Sequence, residues 1–423
     1  MKHYFNSGIV LLMLLLFTAC CKDEAPVPDE TVTSRTVLVY IAGDNSLGTG
    51  GANIDGQWHS FPNWDLLEMK AGFASVTNSD MHLLVYIDAP DDSGTSVPPR
   101  LIELKNNKGV VTEQVIKTYE ANRNSVGVGE TREVFTDVFN NSRYRADSYG
   151  LIYWSHGDGW IPASLPSSRW VGQDRPGNHY MNISELAEAL DVAPHLDFIL
   201  FDACFMSAVE VAYELRDYTD YYIASPTEIP GPGAMYDKLV PELFATNFEG
   251  SDESNKQALA WNIANAYFTP YFLIYNEQVS TSNGRWTGGA SICLIATAEL
   301  EALAAFTRNA LQGLTADAAS LRRNTFDYDL RAGGHVGYYD LRALMEQILP
   351  ENIYKEWYLK FYFVADYWAT TPKNYSGMIH NLFSMEGSSG ISCYIPSGAD
   401  TSADHAYRTF GWYTAAGLSQ LGW

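Results

Sequence analysis

The segment Leu196–Leu215, LDFILFDACFMSAVEVAYEL, changes from one hydrophobic pattern to another along its length. Residues 198–201 (FILF) form a continuous bulky apolar run, which is typical of a strand buried on both faces. Beyond the turn at Asp202–Cys204 apolar residues recur at helical spacing, so the segment predicts a strand, a turn and a helix. Open α/β sheets bind ligands at the carboxyl ends of their strands, and Cys204 lies at such an end. The helix amino terminus expected next favours a thiolate, although a buried structural cysteine fits the same pattern.

A second apolar run, residues 149–154 (YGLIYW), leads into the sequence SHGDGW at 155–160. His156 therefore leaves a strand next to glycines, which tolerate positive φ and let the backbone approach a ligand closely. If both runs are neighbouring strands of one parallel sheet, the side chains of His156 and Cys204 lie at the same edge. The alternative is a histidine packed in the core.

The two stretches together resemble the clostripain-like cysteine peptidases, family C11 of the clan that includes caspases, gingipains and legumains. Residues 35–47, RTVLVYIAGDNSL, are similar to the first strand and D-N-x-L turn of that family, and the resemblance covers most of 35–423. It implies a caspase-like α/β/α sandwich with a mostly parallel central sheet. It also implies a dyad in which Cys204 is the nucleophile and His156 the general base or acid, with the amides of Gly157 and Cys204 as the oxyanion hole.

The residues that select the substrate depart from the family pattern. Members that cut after Arg or Lys carry an acid in a loop that here reads PGPGA (230–234), with Pro232 in its place. Asp202 and Glu228 remain candidates for the pocket that receives the P1 side chain. Because a desolvated carboxylate pairs strongly with a cation, we predict a preference for Arg or Lys at P1. Alternatively, Asp202 only caps the following helix.

Many members of this family are cut into two chains, and the segment 161–180 suits such a cut. It is long, polar and rich in Pro, Ser and Gly, as exposed cleavage sites are. We predict self-cleavage after Arg169, giving a monomer or a self-processed two-chain form. Part of the family depends on calcium, and Asp158 with the acidic surface permits Ca²⁺. No EF-hand-like run is present, so no cofactor is required and no metal site is predicted.

The amino terminus predicts export and lipidation. An apolar run at residues 8–17 is too short to span a bilayer and precedes Thr18-Ala19-Cys20, which looks like a bacterial lipobox. Residues 1–19 are then a signal peptide, Cys20 carries the lipid, and 20–34 form an acidic tether. Cys21 is the second choice for the lipid, and a plain signal peptide is the alternative. The expected location is the outer membrane of a bacterial envelope, facing the periplasm or the exterior.

Composition limits the classes of partner. The 423-residue chain has a net charge of −23, which disfavours nucleic acid and anionic lipid and leaves membrane contact to the N-terminal lipid. Peptide or protein substrates, particularly cationic ones, are the expected partners. Cys293 and Cys393 lie in apolar runs and are predicted to be core thiols.

Strand and helix patterns alternate along 35–320, which predicts one peptidase domain, and 321–423 is predicted to be a helical or mixed C-terminal subdomain packed on it. Helices are expected at 56–70, 338–349 and 351–367. The competing interpretation is a non-catalytic surface lipoprotein that binds peptide or glycan through some of its aromatic residues, which make up 13% of the chain.

Overall fold

The computed structural model describes most of the chain, namely residues 32–161, 171–175, 178–246, 248, 250–280, 285–330, 336–397 and 401–423. The signal peptide, Cys20 and Arg169 lie outside the described residues. The predictions about export, lipidation and cleavage after Arg169 therefore stay predictions.

The strands, in chain order, are β1 (Arg35–Ala42), β2 (Gly51–Ile54), β3 (Gln57–Ser60), β4 (Met81–Asp88), β5 (Arg100–Asn107), β6 (Val110–Thr118), β7 (Ser148–Trp154), β8 (Val171–Asp174), β9 (His179–Met181), β10 (Leu196–Asp202), β11 (Thr219–Ala224), β12 (Ser291–Ala296), β13 (Tyr339–Asp340), β14 (Ala365–Thr370), β15 (Lys373–Ser376), β16 (Asn381–Ser384) and β17 (Ser392–Cys393). The α-helices are α1 (Phe61–Phe73), α2 (Val128–Phe139), α3 (Ile183–Leu190), α4 (Val209–Leu215), α5 (Tyr236–Leu243), α6 (Asp252–Ile274), α7 (Leu300–Ala310), α8 (Ala318–Asn324), α9 (Leu341–Ile348), α10 (Glu351–Val364), α11 (Ser402–Tyr407) and α12 (Gly411–Ala415).

A large central sheet organises the described part of the chain, with the strand order β14-β12-β11-β10-β7-β1-β4-β5-β6. The five middle strands, from β11 to β4, are parallel to their neighbours, and the two strands on either side pair antiparallel. Every residue of β1 and of β10 is buried, as expected for strands covered on both faces. This arrangement confirms the predicted mostly parallel sheet.

Helices cover both faces of the sheet. One hydrophobic core joins it to α1, α5 and α6, through residues such as Leu66, Leu239 and Ile263. The other core joins it to α2, α3, α4 and the C-terminal helices, and includes Phe135 and Trp357. The predicted α/β/α sandwich is therefore confirmed.

Two of the predicted helices begin too early. The one expected at 56–70 begins at Phe61, because Asp55 and Gly56 have positive φ (51° and 87°) and form a two-residue turn joining β2 to β3. The one expected at 338–349 begins at Leu341, where the carboxylate of Asp340 accepts a hydrogen bond from the amide of Ala343 and caps the helix.

The helix expected at 351–367 ends too late, because α10 stops at Val364 and Ala365 begins β14. The hydrophobic pattern of this aromatic-rich stretch fits a helix as well as a strand. Pairing with β12 decides the conformation of its last residues.

The region after residue 320 takes part in the central structure. Its strand β14 completes the sheet at one edge. Ser392 donates its amide proton to the carbonyl of Ser207 (2.8 Å), which lies between Cys204 and α4. The division of the chain at residue 320 stays a prediction.

At the other end of the chain, the last residues of the predicted tether are held to the domain. The amide and hydroxyl groups of Thr33 and Ser34 bond the carboxylate of Asp147. Within the described ranges, the helices are all too short or too polar to cross a membrane.

Candidate active site

The two predicted catalytic stretches lie side by side. Strands β7 and β10 are parallel neighbours, and Trp154 and Asp202 are paired across them. His156 and Cys204 each follow two residues later, so both leave the same edge of the sheet at the same level. Gly157 packs directly on the second stretch, since a Cβ built there would lie 2.6 Å from the carbonyl oxygen of Cys204. The predicted proximity of these two stretches is confirmed.

Cys204 lies in a turn that is fastened to the loop after β11. Its side chain is half-buried, and the sulfur accepts a hydrogen bond from the amide of Ile229 (3.4 Å). The next residue, Phe205, has φ of 59° and donates its amide proton to the carbonyl of Thr227 (2.9 Å). The predicted strand, turn and helix are confirmed, with α4 at Val209–Leu215, but the helix amino terminus does not adjoin Cys204 as expected, because it begins five residues later. The loop after β11 thus supplies a hydrogen-bond donor to the sulfur.

His156 is held by the turn that follows β1. Its Nε2 lies 2.8 Å from the hydroxyl oxygen of Ser46. The neighbouring Asn45 fixes that turn, since its side-chain amide donates to the carbonyls of Ala42 (2.8 Å) and Gln173 (2.9 Å). Sequence reasoning used this D-N-x-L turn only as a family likeness and missed Ser46. The signal was present, because the turn follows the strand next to β7.

Asp202 is buried beneath the segment 230–236. Its carboxylate accepts hydrogen bonds from the amide of Ala234 (2.8 Å) and the hydroxyls of Tyr236 (3.0 Å) and Tyr267 (3.1 Å). Burial raises its pKa to about 6, and these three donors oppose the rise. The alternative role as a helix cap is wrong, because Ala208 occupies the N-cap of α4.

Two more acids from α1 lie on the same side of the sheet. Burial, followed by the charges of Glu68 and Asp202, raises the pKa of the buried Asp65 well above its ordinary value. Burial and then the charge of Asp237 raise the pKa of Glu68 to about 7. Glu68 also lines a cavity of about 550 Å³ whose wall includes Pro232. The interior behind Asp202 is thus acidic.

Glu228 is occupied by contacts with the hairpin formed by β15 and β16. One carboxylate oxygen accepts from the hydroxyl of Ser376 (3.0 Å) and the other from the amide of Gly377 (2.6 Å). These bonds fasten the loop that follows β11 to the C-terminal region. Glu228 directly precedes Ile229, whose amide bonds the Cys204 sulfur, but its own carboxylate contacts the hairpin.

The loop after His156 packs inward. Asp158 is fully buried, and its carboxylate accepts a hydrogen bond from the hydroxyl of Tyr338 (2.9 Å). Trp160 is also buried, in contact with the rings of Tyr394, Tyr407 and Phe410, so it is not available as a surface stacking platform.

The other two cysteines that the structure describes lie in the core, away from solvent. Cys293 and Cys393 are buried thiols, as predicted, and burial raises the pKa of both. In the ranges that the structure covers, no three His, Cys, Asp or Glu side chains are grouped so as to hold a metal ion. Calcium dependence is untested by this observation.

Comparison with known proteins gives concordant results. The model of the clostripain family matches residues 39–407. Clostripain of Hathewaya histolytica is 27% identical over 270 residues, which are 58% of this chain and 48% of clostripain, so the chain spans about half the length of that relative.

Two solved structures extend the likeness. A secreted C11 cysteine protease from Bacteroides thetaiotaomicron, in complex with an irreversible peptide inhibitor, is 43% identical with a TM-score of 0.78, over 91% of this chain and 99% of that one. An inactive zymogen of a C11 protease from Parabacteroides distasonis is 29% identical with a TM-score of 0.73, over 91% and 98%.

Proposed function

Because the chain belongs to the clostripain family of C11 cysteine peptidases, we propose that it is an endopeptidase with Cys204 as nucleophile and His156 as general acid and base. The observation that carries this proposal is the equal register of the two residues at one edge of the sheet. The half-buried Cys204 sulfur supports it as well, since a catalytic thiol must be reachable by a substrate.

The reaction proceeds in two displacements. The Cys204 thiol passes its proton to His156 and its sulfur attacks the scissile carbonyl carbon; a C–S bond forms, and the C–N bond breaks as His156 gives that proton to the leaving amine. Water then attacks the thioester while His156 removes a proton from it; the C–S bond breaks, and the departing sulfur takes that proton back from His156, so that the carboxylic acid is released and the thiol is restored. The hydrogen bond between the Ser46 hydroxyl and His156 Nε2 orients the ring during both transfers.

The oxyanion of each tetrahedral intermediate is assigned to the amides of Gly157 and Cys204. Close packing of Gly157 on the carbonyl of Cys204 supports this assignment, because it brings the two backbone segments into contact. Donors of this kind act on charge that develops only in the transition state, and removal of one typically costs about 10²–10³ in rate.

A preference for Arg or Lys at P1 is assigned to Asp202. Its support is the place and the charge of Asp202, which lies two residues before the nucleophile and, with a pKa of about 6, is mostly ionised at neutral pH. A cationic P1 side chain offers Asp202 a charge-assisted partner in place of neutral donors. Reaching that carboxylate requires movement of the segment 230–236, which contains Gly231 and Gly233. Glu228 is less suited, because both of its oxygens bond the β15–β16 hairpin.

The decisive experiment labels the nucleophile. The wild-type protein is treated with an Arg-based acyloxymethyl ketone, and the adduct is located by mass spectrometry. We expect it on Cys204, with no adduct and no turnover in Cys204→Ala. The matched control is Cys293→Ala, which removes a fully buried thiol of β12 and should keep full turnover.

The alternative function, a non-catalytic lipoprotein that binds peptide or glycan, predicts a different result. Wild type and Cys204→Ala then bind the same peptides equally and neither forms a product. Equal turnover of reporters with Arg, Ala and Leu at P1 would leave the peptidase in place and remove only the basic preference.

Maturation and location complete the proposal. Self-cleavage after Arg169 is proposed by analogy with the family, and the zymogen from Parabacteroides distasonis is a relative for which an inactive precursor is named. An active wild-type protein that remains one band on a denaturing gel argues against it.

Attachment to the bacterial outer membrane through a lipid on Cys20 is tested by incorporation of labelled palmitate, which Cys20→Ser should abolish. Calcium dependence is tested by activity in the presence of a chelator.

A further inference from the structure

One side chain of the C-terminal region touches both loops of the site. Tyr338 is fully buried, and its hydroxyl bonds both the carbonyl oxygen and the carboxylate of Asp158. Its ring stacks on the ring of Phe205, with 4.8 Å between centroids and 14° between planes. Asp158 is two residues beyond His156, and Phe205 directly follows Cys204.

The contact with Phe205 supports an unusual backbone conformation. Phe205 has φ of 59°, in the left-handed region where a bulky non-glycine residue is strained. Such a conformation persists only when its surroundings enforce it. The stacked ring of Tyr338 holds the Phe205 side chain, and the hydrogen bond from the Phe205 amide to the carbonyl of Thr227 (2.9 Å) holds its backbone. They thereby fix the exit direction of the chain from Cys204.

The contact with the histidine loop is equally close. Gly159 has φ of 59°, and a Cβ built there would lie 2.8 Å from both the Tyr338 ring and the carbonyl oxygen of Phe205. The histidine loop, the nucleophile loop and the tyrosine ring thus meet with no space for an added methyl group. A shift of the ring displaces both loops together.

We propose that Tyr338 is a positioning residue that sets the separation of His156 and Cys204. The inference rests on the proposed peptidase function and adds to it a residue 134 positions beyond the nucleophile in the sequence. In this proposal Tyr338 acts through Asp158 and Phe205 rather than on the reacting atoms. It acts as a rigid spacer whose ring holds one loop and whose hydroxyl holds the other.

The spacer is itself fixed from behind. The carbonyl of Tyr338 accepts a hydrogen bond from the amide of Tyr328 (2.8 Å), and the next residue, Tyr339, pairs with Cys393 between β13 and β17. The region after residue 320 therefore forms part of the frame of the active site.

The test compares two conservative variants of the full chain. Tyr338→Phe keeps the ring and removes the hydroxyl that holds Asp158. We expect kcat to fall about tenfold, as for loss of one buried hydrogen bond, with KM unchanged. Tyr338→Leu also removes the stack, and we expect a loss of about a hundredfold, which displacement of reacting groups can produce.

The control is Tyr144→Phe. Tyr144 is also fully buried and its hydroxyl donates to the carboxylate of Glu103 (3.2 Å), but it precedes β7, at the end of the sheet opposite to His156 and Cys204. Its variant should lose thermal stability to a similar extent and keep kcat. A second readout needs no peptide: the pH profile of Cys204 alkylation by iodoacetamide should shift in Tyr338→Phe and not in Tyr144→Phe.

The outcomes are distinguishable. An unchanged kcat and alkylation profile in Tyr338→Phe overturns the inference, as does a loss of activity that only follows the folded fraction and is matched by Tyr144→Phe. If Tyr338→Leu does not fold, Phe205→Leu removes the stack from the other side, and a wild-type kcat in it also overturns the inference. Failure of wild type to cleave any peptide contradicts the peptidase proposal itself, whereas the alkylation profiles still decide the role of Tyr338.

Discussion

The variant Asp202→Asn measures two effects of this carboxylate separately: the free energy of unfolding that its burial costs, and its contribution to substrate preference. Burial raises the pKa of Asp202 from 3.8 to about 6. Below about pH 4 the carboxyl is protonated in both the folded and the unfolded protein. Between about pH 4 and 6 the unfolded chain loses this proton first, so the free energy of unfolding falls as the pH rises. At about 1.4 kcal/mol for each pH unit, the fall amounts to about 3 kcal/mol.

Asparagine has no proton to lose, so the variant escapes this fall. Mismatched hydrogen bonds to Ala234, Tyr236 and Tyr267 change its stability by an amount that does not depend on pH. The difference in free energy of unfolding, variant minus wild type, should therefore rise by about 3 kcal/mol between pH 4 and pH 7. Urea denaturation followed by tryptophan fluorescence, on a Cys204→Ala background, measures it. Parallel stability curves for the two proteins would refute the burial argument.

The activity of the same variant tests the assignment of the pocket. With Cys204 intact, Asp202→Asn should lower the Arg-to-Leu ratio of kcat/KM about a hundredfold, as expected for loss of one partner of a buried charge pair. Asp88→Asn is the matched control. Burial raises the pKa of Asp88, at the end of β4, to about 7, so its variant should show a pH-dependent gain of the same sign. Its P1 preference should be that of wild type, and an unchanged ratio in Asp202→Asn removes Asp202 from the pocket.

Three further predictions concern the surroundings of the site. Ser46→Ala should lower kcat about tenfold and shift the pH profile of kcat/KM, because His156 loses its 2.8 Å partner; steady-state kinetics across pH checks this, and an unmoved profile contradicts it. Glu228→Gln should cost about 1–3 kcal/mol of unfolding free energy in urea through its bonds to the β15–β16 hairpin, with the Arg-to-Leu ratio unchanged. Among the cysteines that the structure describes, native protein at pH 8 should be alkylated quickly only at Cys204, and rapid labelling of the two buried thiols would contradict their placement.

Much of the central architecture could be read from local sequence. A strand covered on both faces must be apolar along its whole length, so a run of a few apolar residues is enough to predict β7 and β10. The position of His156 and Cys204 just past these strands then predicts their shared edge, because parallel strands end at the same side of a sheet. Helices and strands of the C-terminal region were harder to distinguish, because the hydrophobic pattern of the aromatic stretch around Ala365 fits both. Only its pairing with β12 makes the end of this stretch a strand.

The sequence by itself thus determined the sheet, its layers and the pair of residues at its edge. Tertiary structure alone decided that Asp202 is buried under three donors, that Ser46 holds His156, and that Tyr338 joins the two loops. The physical reason is the distance along the sequence between the residues that interact. Burial imposes a pattern on each strand separately, whereas the bond from Ser46 to His156 spans 110 residues and that from Tyr338 to Asp158 spans 180. Such contacts leave no periodic mark on the chain, because each depends on where two distant segments pack.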